Sequence, residues 1–164
     1  MKKVITTVFL FCVTLTYAQF SLNLGYDLKI GIIGTDNQYT THDGVANYQI
    51  KVEFMDDRDH YFALGYKYVN LSEYYKALFL DIGKHFRNGK FYIIPQLELG
   101  HIWRERAYLA SNFGVLYGGL NLAGGFYITP SFAFEVQGYG QWARDLPDRT
   151  FRYGSNIAVI FIFN

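Results

Sequence analysis

The stretch Ser21-Leu22-Asn23-Leu24-Gly25-Tyr26-Asp27-Leu28-Lys29-Ile30-Gly31-Ile32 alternates without a break. Leu22, Leu24, Tyr26, Leu28, Ile30 and Ile32 are large and apolar, and every residue between them is small, polar or charged. A period of two is the mark of a β-strand with two unlike faces. The contrast is sharper than a strand half-buried in a soluble domain requires. The pattern covers about 21–33 and returns at about 45–56, 60–69, 76–86, 90–103, 114–128, 131–143 and 151–163, which makes eight predicted strands.

The composition agrees with a strand-rich single domain. The chain has 164 residues, is 20% aromatic, and contains 16 glycines but only 3 prolines. Its formal net charge of +1 gives no basic footprint for nucleic acid. The amino end reads Met1-Lys2-Lys3, then an apolar run from Val4 to Tyr17, then Ala18-Gln19. This is the layout of a secretory signal peptide, predicted at 1–18 with cleavage before Gln19 and a barrel domain at 19–164. The only cysteine, Cys12, falls in that leader, so the exported chain is expected to have neither a disulfide nor a cysteine-bound metal.

The connections alternate in length. Asp57-Arg58-Asp59, Asn88-Gly89 and Thr129-Pro130 read as tight turns, whereas 34–44, 70–75, 104–113 and 144–150 read as longer loops. An even number of strands with short turns at one end and longer loops at the other is the pattern of an up-and-down barrel across an outer membrane. Antiparallel neighbours must put their apolar residues on one face. The turns accordingly predict Phe54 opposite Phe62, Glu53 opposite Ala63, Lys84 opposite Ile93, His85 opposite Tyr92, Phe126 opposite Phe132 and Leu122 opposite Val136.

A soluble barrel would turn its apolar face inward and carry charge outside. Here the polar face is too rich in glycine and alanine to make a charged exterior, so the apolar face is assigned outward, to lipid. Leu22 to Ile32 rises ~33 Å, or ~25 Å after tilting, the height of an outer-membrane apolar band. Lys76 and Lys84 fall on the outward face and are expected to reach the two interfaces. Aromatics near strand ends, among them Tyr48, Phe62, Tyr68, Phe91, Trp103, Phe126, Phe132, Trp142, Tyr153 and Phe163, are expected to form two girdles. The inward set is then Asp27, Lys29, Lys51, Glu53, Lys67, Asp81, His85, Glu98, Arg104 and Glu135, with Asn23, Asn47, Gln49, Gln96, Asn121, Gln137, Gln141 and Asn156. Eight strands enclose an interior just wide enough for side chains to fill. A plugged core of ion pairs and amides in near charge balance is expected, and Tyr139 is expected opposite Gly119.

With its final strand, Tyr153-Gly154-Ser155-Asn156-Ile157-Ala158-Val159-Ile160-Phe161-Ile162-Phe163, the chain resembles the small eight-stranded outer-membrane barrels formed by the membrane domains of outer-membrane proteins A and X, in the style found in Bacteroidetes. The resemblance covers Gln19 to Asn164. It implies an all-β, eight-stranded antiparallel up-and-down transmembrane barrel in a Gram-negative outer membrane. It also implies insertion by the barrel-assembly machinery, which reads such a closing strand.

Little points to catalysis. A lipid-deacylating barrel is expected to carry a His-x-Ser pair, and His101-Ile102-Trp103 has Trp at the serine position. His42, Asp43 and Ser72 read as solvated loop residues, since a nucleophile needs a base within hydrogen-bond reach. The four histidines show no metal-ligand spacing. No cofactor is expected. Gly118, Gly138 and Gly140 make a candidate outer-face groove for a lipid chain or a neighbouring protein. Arg106, Arg144 and Arg149, near the loop end, are candidate contacts to lipopolysaccharide phosphates or a protein partner. The expected role is a non-enzymatic barrel for envelope integrity or surface interaction, touching outer-membrane lipid and meeting any partner through its loops. The alternatives are a narrow ion or water conduit, or an accessory outer-membrane subunit of a secretion or conjugation apparatus.

Overall fold

The computed structural model describes residues 19–28, 47–70, 73–106, 109–146 and 149–163. Its strands are β1 (Gln19–Asp27), β2 (Asn47–Met55), β3 (His60–Asn70), β4 (Glu73–Lys84), β5 (Phe86–Asn88), β6 (Phe91–Arg106), β7 (Leu109–Thr129), β8 (Phe132–Leu146) and β9 (Arg149–Phe163). They pair antiparallel in the order β4-β3-β2-β1-β9-β8-β7-β6-β5, and β4 also pairs with β6, which closes the sheet. β4 and β5 form one stave. Gly83 opposite Gln96 and Phe86 opposite Ile93 belong to a single register, broken only at His85, whose N–H donates to the Asp59 carbonyl at 2.8 Å. The result is an all-β, closed, eight-stranded antiparallel barrel with no free edge.

Burial follows the alternation. In β2 Asn47, Gln49, Lys51 and Glu53 are buried while Tyr48 and Ile50 are exposed. Around the exterior, large apolar side chains stand open, with Leu116 78%, Phe91 65% and Leu99 61% exposed. A continuous apolar belt of this kind suits hydrocarbon and not water. Its two rims differ. At the short-turn end the rings are phenylalanines, paired as Phe20 with Phe54, Phe20 with Phe163, Phe91 with Phe126 and Phe132 with Phe161, at 5.0–5.5 Å. At the other end Tyr48 meets Tyr68 at 5.3 Å and Trp142 meets Phe151 at 5.0 Å. Amphipathic rings are the type favoured at a headgroup layer.

The structure corrects the expected boundaries. β1 runs from Gln19 to Asp27, with Leu28 out of extended geometry, and the remainder of the strand predicted to 33 lies outside the described residues. Its nine residues rise about 30 Å, or ~23 Å along the barrel axis. Lys29 and the loop 34–44 lie outside the described residues, as does the predicted leader 1–18. At the long-loop end the ladder runs further than the hydrophobic pattern. β6 reaches Arg106, β7 starts at Leu109, β8 reaches Leu146 and β9 starts at Arg149, so most of the expected loops 104–113 and 144–150 is strand. Similarly β3 reaches Asn70 and β4 starts at Glu73. Alternation reports only the apolar band, whereas backbone pairing continues wherever N–H and C=O groups remain aligned.

The first tight turn has the expected register, Phe54 opposite Phe62 and Glu53 opposite Ala63. Asp59 closes it at φ 61°, and the Asp56 carboxylate accepts the backbone N–H of Arg58 at 2.9 Å and of His60 at 2.8 Å. His60 Nδ1 lies 2.8 Å from Asp56 Oδ2, and this side-chain hydrogen bond, aided by the two backbone donors, holds the Asp56 carboxyl below its ordinary range. The other two turns are displaced by two residues from expectation. Ile93 faces Phe86 rather than Lys84, and Tyr92 faces Arg87 rather than His85, because Gly89 at φ 62° with Lys90 makes the turn. Phe126 faces Phe134 and Leu122 faces Gly138, because the turn falls at Pro130-Ser131, a displacement of three, and a bulge between Tyr127 and Thr129 takes one residue back. A shift of two keeps every side chain on its predicted face.

Candidate functional site

Among the described residues the barrel interior carries most of the polar chemistry. Asp27, Lys51, Glu53, Lys67, Asp81, Glu98 and Glu135 are all buried there. The side chain of Arg104, like Lys29, lies outside the described residues. Five buried carboxylates therefore stand with two buried lysines among the described residues.

The partners divide by residue type. Both aspartates meet a lysine: Lys67 Nζ donates to Asp27 Oδ2, and Lys51 Nζ lies 3.4 Å from Asp81 Oδ2. Tyr139 adds a hydroxyl to Asp27 at 2.6 Å, and Lys51 also donates to Gln137 Oε1 at 3.2 Å. The glutamates are held by neutral donors. Asn121 and Gln141 each donate to Glu98 at 2.6 Å. Asn23 Nδ2 spans Glu53 at 2.9 Å and Glu135 at 3.1 Å, while Ser21 and Tyr61 donate to Glu53 and Tyr92 donates to Glu135. Gln49, Gln96, Gln137 and Asn156 join the network through amide–amide bonds of 3.2–3.4 Å. Some of these contacts stay within neighbouring strands, as Tyr61 to Glu53 does, whereas Lys67 to Asp27, Lys51 to Asp81 and Asn23 to Glu135 join strands that are not neighbours and form only once the barrel closes.

Two apolar layers flank this network, a feature absent from the sequence reading. Tyr61, Ala63, Tyr92, Ile94, Ala123, Ala133, Ile160 and Ile162 pack toward the short turns; Val69, Ala77, Phe79, Ile102, Tyr117 and Ala143 pack toward the long loops. A cavity of about 30 Å³ touches Ser21, Glu53, Tyr61, His85, Tyr92 and Glu135, room for about two waters. Tyr61 and Tyr92 are the site residues the sequence reading overlooked. Their parity was the available signal, since Tyr61 shares the face of Ala63, Gly65 and Lys67.

Ring-over-glycine pairs fill the remaining interior. Phe79 lies opposite Gly65, Tyr117 opposite Gly100, Tyr92 opposite Gly125 and Tyr139 opposite Gly154, and in each a Cβ on the glycine would strike the ring. Tyr139 thus covers Gly154 and stands opposite Asn121, not Gly119 as expected, because the β7–β8 turn is shifted.

The candidate outer-face glycines are not brought directly opposite one another. Gly118 faces Leu99 and Trp142, Gly140 faces Leu120 and Tyr153, and Gly138 faces Leu122 and Ser155. Phe151 covers Gly140 at 3.2 Å from where a Cβ would stand, whereas the space over Gly138 is open to 4 Å. Arg144 is exposed at the loop end, and the side chains of Arg106 and Arg149 lie outside the described residues. Among the described residues no group of three His, Cys, Asp or Glu side chains is placed to hold a metal.

No protein-family model matches the chain, and no curated protein sequence matches it. Solved structures do match its fold. The N-terminal β-barrel domain of Pseudomonas aeruginosa OprF superposes with a TM-score of 0.63 at 14% identity, covering 90% of this chain and 98% of that one. The Yersinia pestis outer membrane protein Ail, in a phospholipid bilayer nanodisc, gives 0.57 at 14% identity, covering 89% and 99%. Neisserial surface protein A gives 0.56 at 12% identity, covering 89% and 97%. At these identities the likeness is one of fold: a closed eight-stranded barrel matching transmembrane barrels.

Proposed function

We propose that the chain is a non-enzymatic outer-membrane barrel with a plugged interior, exported by a cleaved leader at 1–18, which contributes to envelope integrity or surface interaction. The observation that carries this reading is the pairing of an apolar exterior with a cross-linked polar core. Hydrocarbon accepts the first, and the second fills the lumen of an eight-stranded barrel. The fold shared with OprF, Ail and Neisserial surface protein A supports it, and the Bacteroidetes style of the closing strand belongs to the same reading. Outer-membrane lipid and lipopolysaccharide surround such a barrel, with Arg106, Arg144 and Arg149 as the loop-end contacts to phosphate or to a protein partner. The barrel-assembly machinery is its insertion partner. Nucleic acid has no place in this reading.

The test is fractionation of cells expressing the chain, followed by gel migration with and without heating. A heat-modifiable band in the outer membrane is the expected result, and a soluble periplasmic product overturns the reading. The water-sized cavity beside Glu53 and Glu135 favours a second reading, a narrow conduit for water or ions. Planar-bilayer recording separates the two: the plugged barrel gives no discrete channel events.

A further inference from the structure

The short-turn mouth of the barrel holds a concave surface of about 580 Å³ lined by Gln19, Arg87, Lys90, Tyr127, Ile128 and Thr129, with Pro130 at its edge. It contains two cations and no carboxylate. Neither Arg87 nor Lys90 has an ion-pair partner among the described residues, although acidic Asp56, Asp57 and Asp59 occupy the neighbouring turn.

Arg87 is braced rather than loose. Its Nε donates to the Gly89 carbonyl at 2.9 Å and its guanidinium lies 4.5 Å from the centre of the Tyr127 ring. Tyr127 is fixed in turn: its hydroxyl lies 3.2 Å from His85 Nε2, its ring packs 5.0 Å from Tyr92, and its N–H donates to the Lys90 carbonyl at 2.8 Å. With Nε and the ring face engaged, the terminal nitrogens of Arg87 remain to bind an oxyanion in the fork geometry that suits phosphate. Lys90 extends over the Phe126 ring, 5.9 Å from its centre, and so reaches the same surface from the outer side. Next to it the exterior is apolar, with Phe91 65% and Ile128 49% exposed and the Phe91 and Phe126 rings 5.0 Å apart.

We propose that this mouth is a headgroup site for an anionic glycerophospholipid of the leaflet at the short-turn end, its phosphate held by Arg87 and Lys90 and an acyl chain lying along Phe91, Phe126 and Ile128. The site rests on the membrane reading above. A free phosphate would use only the cationic half; continuity with the apolar belt selects the lipid. Two phenylalanines and an isoleucine beside a braced arginine match a ligand that is charged at one end and hydrocarbon at the other.

The full chain, extracted from host membranes and reconstituted in phosphatidylcholine nanodiscs with a minor share of phosphatidylglycerol, is released gently and weighed by native mass spectrometry. Wild type is expected to keep one phosphatidylglycerol. Combined Arg87→Gln and Lys90→Gln is expected to lower that occupancy about tenfold, the loss of one or two charged hydrogen bonds. Arg58→Gln, which removes an exposed charge from the adjacent turn at the same end, is expected to leave it unchanged. Equal retention by the double variant overturns the site, as does equal loss in Arg58→Gln, which would mean rim charge alone. Displacement of the lipid by millimolar inorganic phosphate overturns the choice of lipid over free anion. Heat-modifiable migration of every sample keeps the outcomes apart, since a chain that never inserts refutes the membrane reading, whereas an inserted chain without selective retention refutes only this site.

Discussion

The two ends of the barrel interior solve one problem differently. Toward the long loops and the centre, Asp27 and Asp81 each face a lysine; toward the short turns, Glu53 and Glu135 take their hydrogen bonds, among the described residues, from the amide of Asn23 and the hydroxyls of Ser21, Tyr61 and Tyr92. An ion pair cancels charge but exposes its survivor when one member is lost. Neutral donors leave the charge in place and divide its hydrogen bonds among several strands, so no single donor is indispensable. The interior therefore contains paired joints at one end and a distributed one at the other, beside the water-sized cavity.

The sharpest way to break this contrast is Lys51→Met, which leaves Asp81 buried without its cation. Removing one member of a buried pair costs about 3–5 kcal/mol, read as a lowered urea midpoint for the barrel in lipid vesicles. Adding Asp81→Leu should recover much of the loss; no recovery would mean that Lys51 acts by packing alone. Next in size is Gly125→Ala, whose new methyl displaces the Tyr92 ring and with it the donor to Glu135. Overpacking of this kind costs about 1–3 kcal/mol, and the same vesicle unfolding measures it. Glu135→Gln is expected to cost only about 1 kcal/mol, since the amide oxygen still accepts from Asn23 and the Tyr92 hydroxyl can turn to accept from the new N–H. A loss equal to that of Lys51→Met would erase the distinction between the two ends.

The smallest effect is expected outside the lumen, where Asp56 makes similar bonds in water. Its carboxyl is held below the ordinary value of 3.8 by the His60 side chain and by two backbone donors. A depressed acid stabilises the turn fully above its unfolded pKa and loses that contribution as pH falls through its folded one. Protection of the Arg58 and His60 amides, taken relative to their intrinsic exchange rates, should therefore fall on acidification below about pH 4, and Asp56→Asn should remove that pH dependence of the protection.

Much of the barrel was legible because alternation depends on parity alone. Asp27, Lys51, Glu53, Lys67, Asp81, Glu98 and Glu135 all lie on the face their residue numbers assign. Which carboxylate meets which lysine was not legible, since Lys67 and Asp27 lie on strands that are not neighbours and meet across the lumen. Register at the second and third turns was misjudged by two residues because neither the Gly89-Lys90 turn, left-handed at Gly89 alone, nor the Pro130-Ser131 turn with its bulge near Ile128 changes the apolar pattern. The interior apolar layers escaped notice because Ile94, Ile102 and Ile160 sit on the face expected to be polar, where one apolar residue looks like noise. The mouth around Arg87 depends on the same misjudged turn.

That two-residue ambiguity also confronts the chain as it folds. A strand that slips by two keeps every leucine toward lipid and every amide toward the lumen, so hydrophobicity cannot reject the mistake. The four rings seated over Gly65, Gly100, Gly125 and Gly154 can. Moved two places along its neighbour, a ring meets a residue that has a Cβ and can no longer lie flat. Spread over β3–β4, β6–β7 and β8–β9, these seats work like the tumblers of a lock: the cylinder closes when each has dropped, and a near-correct alignment with all its grease on the right side does not turn.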